Sequence, residues 1–138
     1  MSILKVDTIN EKTSGNGVAI SGHVVQAVTA TFSGSSSSTA SLVAMATCGS
    51  ITTKFANSKL LVTAAAQLQV GSSTSDDTKA QYALRSSVDS YASNLHTQAV
   101  VNYRDSSNGW QQAAMPFHTL HSPSASAGTT ITYKIYGN

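Results

Sequence analysis

The sequence predicts an all-β protein built as an antiparallel β-sandwich, and three observations lead there. The stretch 57–71 alternates without a break, with Leu60, Val62, Ala64, Ala66, Leu68 and Val70 set against Lys59, Leu61, Thr63, Ala65, Gln67 and Gln69. That period of two sends successive side chains to opposite faces of a strand. Further alternating runs follow it, divided by clusters of Ser, Gly, Asn and Asp, and no stretch carries a convincing helical period. Charged residues make up only 10% of the chain, against about 25% in an ordinary globular domain. Serine and threonine together number 39 of 138 residues, a mixture suited to β-rich surfaces and loops.

Taken in order, 3–9 and 18–21 read as two short strands around Ser14, Gly15, Asn16 and Gly17, residues that accept the positive φ of tight turns. Two such strands bury too little apolar surface to stand alone. Residues 1–22 are therefore expected to form a β-hairpin or extended arm that leans on something else, and 23–138 the domain proper. In 23–32, Val24, Val28, Ala30 and Phe32 share a face with Gln26, while Val25 and Ala27 take the other. A serine-rich loop over 34–41 leads to two short strands, 41–47 and 50–55, with Cys48 and Gly49 near the turn between them. The long strand of 59–70 comes next and is expected at the centre of a sheet.

Tyr82 and Leu84 mark the core face of 80–86, and Leu95, Thr97, Ala99, Val101 and Tyr103 that of 95–104. The stretch 105–109 is a turn signal, followed at once by Trp110. Pro116 lacks a ladder donor and places 111–122 at an edge or a bulge. The last strand, 129–136, sets Ile131, Tyr133 and Ile135 against Thr132, Lys134 and Tyr136. Eight strand candidates from His23 onward suggest a jelly roll.

The second face of the long strand departs from what water-facing strands show. Leu61, Thr63 and Ala65 there, like Val25 in the earlier stretch, are small or apolar, and the sole charge, Lys59, stands at the end. Either another sheet or an identical neighbour should cover this face.

Composition also narrows the partners. A formal charge of +2 with scattered Lys and Arg makes no basic stripe, so no nucleic-acid partner is expected. One cysteine, Cys48, excludes an intramolecular disulfide and fits a reducing cytoplasm. Lys5 and Asp7 sit within the first apolar residues instead of ahead of them, unlike a signal peptide. No apolar run approaches the roughly 20 residues that span a bilayer, so a soluble protein without membrane insertion is expected.

Chemistry finds few footholds. His118 and His121 are three apart and fall on opposite faces of a regular strand, and His96 has no acidic or Cys companion nearby. Asp76 and Asp77 lack the ligand spacing calcium needs. Asp89 and Asp105 are not a recognisable acid/base pair, and no Gly-x-Ser-x-Gly elbow singles out a nucleophile. The Gly15-Asn16-Gly17 run precedes no helix able to receive a phosphate. Neither catalytic residues, metal nor cofactor are therefore expected. Trp110, near Tyr91 and Tyr103 in neighbouring segments, offers an aromatic face that a sugar ring stacks on, although rim packing or a subunit contact is the commoner use.

Two end segments carry a resemblance. In 2–22, an apolar strand, Val6-Asp7-Thr8-Ile9, runs through a polar bend into Gly15-Asn16-Gly17-Val18. This resembles the opening segment of tail-fibre and other virion proteins of tailed bacteriophages, especially those of marine and cyanobacterial hosts. In 119–136, Leu120, Ser122 and Pro123 form a turn that leads to Thr132-Tyr133-Lys134, similar to the close of small β-sandwich domains on phage fibres. His121 stands where those domains more usually carry an acid. The resemblance implies a non-enzymatic virion structural protein, assembled in the host cytoplasm as a homotrimer of jelly-roll domains. The arm, through Leu4, Val6, Ile9, Val18 and Ile20, would attach to other virion proteins. The domain would be displayed for host adsorption, with Trp110 a candidate contact to a cell-surface polysaccharide or protein. Val25, Leu61, Thr63 and Ala65 would then lie in the trimer interface. A capsid decoration protein that clamps neighbouring shell subunits is the alternative.

Overall fold

The computed structural model describes residues 24, 26–34, 41–72, 78–102 and 109–138. Among these, six strands form two antiparallel sheets: β1 (Val43–Thr52), β2 (Leu60–Ser72), β3 (Thr78–Ser86), β4 (His96–Asn102), β5 (Gly109–His121) and β6 (Thr130–Gly137). The first sheet has the order β1-β6-β3-β4 and the second pairs β2 with β5. Only β3 and β4, consecutive in the chain, are also neighbours in one sheet, joined through a single 3-10 turn, Ser87–Asp89. The other connections lead to a different sheet.

The core lies between the sheets. Ala66, Met115 and Phe117 of the β2–β5 pair meet Tyr82 and Leu84 of β3, Val100 of β4, and Ile131, Tyr133 and Ile135 of β6. Alternation produces this directly, since β6 buries every second residue and the pleat turns the intervening ones outward. Gly137 at the end of β6 is an inward position without a side chain. A Cβ there would come within 2.8 Å of the Tyr82 ring and closer still to Met45 Sδ, so these two side chains together fill the space beside the glycine.

The two sheets meet closely along one side. His96 Nδ1 hydrogen-bonds the His118 carbonyl at 3.0 Å, and Gln98 Nε2 donates to the Pro116 carbonyl, so side chains of β4 reach the outward edge of β5. On the other side, between β1 and β2, the sheets part around a cleft of about 860 Å³ lined by Val28, Phe32, Cys48, Ile51, Leu60 and Val62. Loops tie one end of the sandwich, where Thr53 N–H donates to the Thr129 carbonyl, Gly128 N–H to the Thr53 carbonyl and Thr53 Oγ1 to the Ser126 carbonyl.

Four sequence expectations need correction. The long strand of 59–70, expected at the centre of a sheet, pairs with β5 alone among the described residues and is a border strand of a two-stranded sheet. The described residues carry six strands, not eight. The expected strand over 23–32 is absent from its described part, which follows the edge of β1 without a ladder; a Cβ on Gly49 would stand 2.8 Å from Ala30 Cβ. Bulges in β1 at Ala44/Ala46 and Thr47/Gly49 disrupt the regular edge on which another strand would pair. The same bulges fuse 41–47 and 50–55 into one strand, because Gly49, at φ +153°, carries the chain through an irregularity that in sequence looks like a turn. Finally, β4 faces the core with His96, Gln98 and Val100 and sends Thr97 and Ala99 to water, the reverse of the expected assignment. The two inward polar groups are only half-buried and hydrogen-bond the carbonyls of β5.

Candidate functional site

The outer face of the β2–β5 pair is the most unusual surface of the described residues. Register places Leu61 opposite Leu120, Thr63 opposite His118, Ala65 opposite Pro116 and Gln67 opposite Ala114. All eight are exposed, with Leu61 at 74% and Leu120 at 63% of their full accessibility. No Lys, Arg, Asp or Glu occurs among them. Four successive outward pairs extend along the strands for about 20 Å. At the far end the Gln67 side-chain amide donates to Gln112 Oε1 at 2.9 Å, a hydrogen bond that flattens two polar side chains onto the sheet.

The sequence accounts for both halves of this face. β2 alternates with small or apolar residues on its second side, and β5 contributes Pro116, whose missing N–H falls at a position that does not face β2. Among the residues expected at a subunit interface, Leu61, Thr63 and Ala65 come together here. Val25 lies outside the described residues, as do Leu4, Val6, Ile9, Val18 and Ile20, the expected attachment residues. Trp110 belongs to β5 by its backbone and pairs with Gly71. Sequence reasoning missed Leu120, Pro116 and His118 as members of this face. Their alternation was visible, but nothing short of the register showed that they stand beside β2.

The titratable groups in the interior are arranged for packing. Burial pushes the Cys48 thiol up to about 11 against a smaller opposing effect of a hydrogen bond with the Ile135 backbone, so near neutrality it is a protonated thiol and a poor nucleophile. His121 and His118 do fall on opposite faces. His121 turns inward to share a hydrogen bond of 2.9 Å with the Tyr133 hydroxyl, and burial lowers its basicity. Desolvation pushes Tyr133 up to about 12, keeping that hydroxyl protonated. No group of three metal-ligating side chains gathers among the described residues.

No family model, curated protein or solved structure matches the chain.

With strands packed, charges few and an apolar face uncovered, the geometry suits adhesion between protein surfaces. Covering Leu61 and Leu120 would contribute about 1.5–3 kcal/mol for each leucine fully removed from water. A two-stranded ribbon with one wet face is also the least supported part of such a molecule.

Proposed function

We propose that this chain is a non-enzymatic structural subunit of a tailed-phage virion, tail-fibre-like, that associates in threes through the outer face of β2 and β5. Residues 1–22 hold it to the particle and the sandwich is displayed for host adsorption. The observation that carries the reading is the largely apolar face formed by Leu61, Ala65, Ala114, Pro116 and Leu120 with Thr63, Gln67 and His118, without Lys, Arg, Asp or Glu and exposed on the single chain. Exposed patches of this kind mark protein contacts, and identical copies in a closed ring cover them without leaving a free end.

Strand order supports the jelly-roll part of the proposal. The order β1-β6-β3-β4 opposite β2-β5 is what results when a long antiparallel ribbon, β1-β2-β3 against β4-β5-β6, wraps around a barrel. The resemblance of 2–22 and 119–136 to phage virion proteins supplies the setting.

Sedimentation equilibrium of the full chain tests the oligomer. A mass three times that of the chain is expected, and L61E/L120E should sediment as a folded monomer with its β-sheet circular dichroism retained. A wild-type monomer at micromolar concentration would overturn the proposal. Particles that lack the protein, adsorb normally and break open on heating would assign it to shell decoration instead.

A further inference from the structure

The opposite surface of the molecule, the outer face of the four-stranded sheet, carries an arrangement that folding alone does not call for. Arg85 of β3 and Lys134 of β6 are direct cross-strand partners. Like charges in that position repel. Asp89 is the sole acidic side chain among the described residues, and its Oδ2 accepts the Ser93 N–H at 2.9 Å. Neither cation has a carboxylate partner among the described residues.

Two tyrosines hold the pair in place. The Arg85 guanidinium lies 4.5 Å from the centroid of the Tyr136 ring, and Lys134 Nζ lies 4.5 Å from that of Tyr91, both within cation–π range. The rings are themselves 6.1 Å apart. Arg85 Nε donates to Asn94 Oδ1 at 2.7 Å and Nη1 to the Tyr91 carbonyl at 3.1 Å. Those bonds fix the guanidinium plane and use two of its five donors.

Tyr91 reaches this place at a conformational cost. It and Ser90 both have positive φ, 64° and 57°, a region that a bulky residue enters rarely. Tyr91 N–H to the Ser86 carbonyl, at 2.9 Å, secures the turn. Strained backbone of this kind is retained mostly where a site requires it.

We infer that Arg85 and Lys134, braced by Tyr136 and Tyr91, form a binding site for the carboxylate groups of an acidic polysaccharide. Fixed cations bind an anion without the usual loss of side-chain freedom, and a guanidinium presents paired donors that match a carboxylate. The surroundings suit a sugar chain. Thr47, Ser50, Thr52, Thr130 and Thr132 share this face and offer hydroxyls to its ring substituents. Lys79, exposed on the same face of β3, stands about 20 Å from Arg85 along the strand, a second cation for a polymer with repeated charge. The inference deepens the adsorption reading by naming the ligand class and rests on that reading only for where the ligand is met.

Calorimetric titration of the full chain with polygalacturonate, neutral dextran and random-sequence duplex DNA tests it. Polygalacturonate should bind, more weakly as salt is raised, and dextran should not. R85Q/K134Q should weaken polygalacturonate binding by about tenfold or more, the effect of losing charge-assisted contacts, without lowering the melting temperature. K59Q, on the other sheet, should bind as the wild type does. Equal binding by R85Q/K134Q and wild type, or a double variant that melts lower and binds normally, would overturn the assignment and leave the cluster a packing feature. DNA binding as tight as polygalacturonate, or equal binding of dextran, would also overturn it. Sedimentation mass measured on the same samples keeps a failure here distinct from a failure of the trimer.

Discussion

At the residue scale, His121 makes the fold sensitive to acid. Its ordinary value is 6.5, and burial holds it lower in the folded chain against a smaller opposing effect of Asp89. Below 6.5 the unfolded state therefore binds the extra proton first, and stability fully present above that pH is lost progressively until the folded value is passed. The ring shares its hydrogen bond with Tyr133, which faces the core, so protonation acts on the interior. The melting temperature should fall as the pH drops below 6.5, the ordinary histidine value. H121Q keeps a polar partner for Tyr133 and should flatten the fall; curves of the same shape for both proteins would place the titration elsewhere.

At the element scale, β4 and β5 show how a sandwich can be laced by side chains across neighbouring strand edges. Gln98 supplies the Pro116 carbonyl with a donor at an exposed position, where water can take its place, and Q98A should cost about 0.5–1.5 kcal/mol, the net value of an ordinary hydrogen bond. Chemical denaturation should show the loss, with T97A, on the exposed face of the same strand, nearly neutral. These two residues also explain where sequence reading failed. For β2, β3 and β6, alternation found the core faces because residue type and burial agree, as in Tyr82 and Leu84 or Ile131, Tyr133 and Ile135. In β4 they disagree, since the inward His96 and Gln98 are chosen for hydrogen bonds that only the folded neighbour reveals. In β1 the Cys48-Gly49 pair looks like a turn and is part of a bulge. Half of the outer β2–β5 face was legible from Leu61, Thr63 and Ala65, while Leu120 and Pro116 required the register. The Arg85–Lys134 pair was hidden for the same reason, being 49 positions apart in sequence and adjacent only across the sheet.

At the scale of the whole molecule, the proposal gives the two broad faces separate tasks, one apolar and turned toward like copies, the other hydroxyl-rich and cationic and turned outward. The arm is the third part. Deleting residues 1–22 should leave the sandwich folded and trimeric while removing it from particles, as measured by quantitative immunoblotting of purified virions; full occupancy by the truncated protein would detach anchoring from the arm. The laced side of the sandwich bears on how such copies can meet. An open strand border is a template for runaway stacking into fibrils, yet along β5 a proline withholds one donor and neighbouring side chains already occupy the carbonyls of Pro116 and His118. Lateral pairing along that border of β5 is thereby hindered, and the proposed cluster, which meets through the broad surface of the ribbon, makes no use of it.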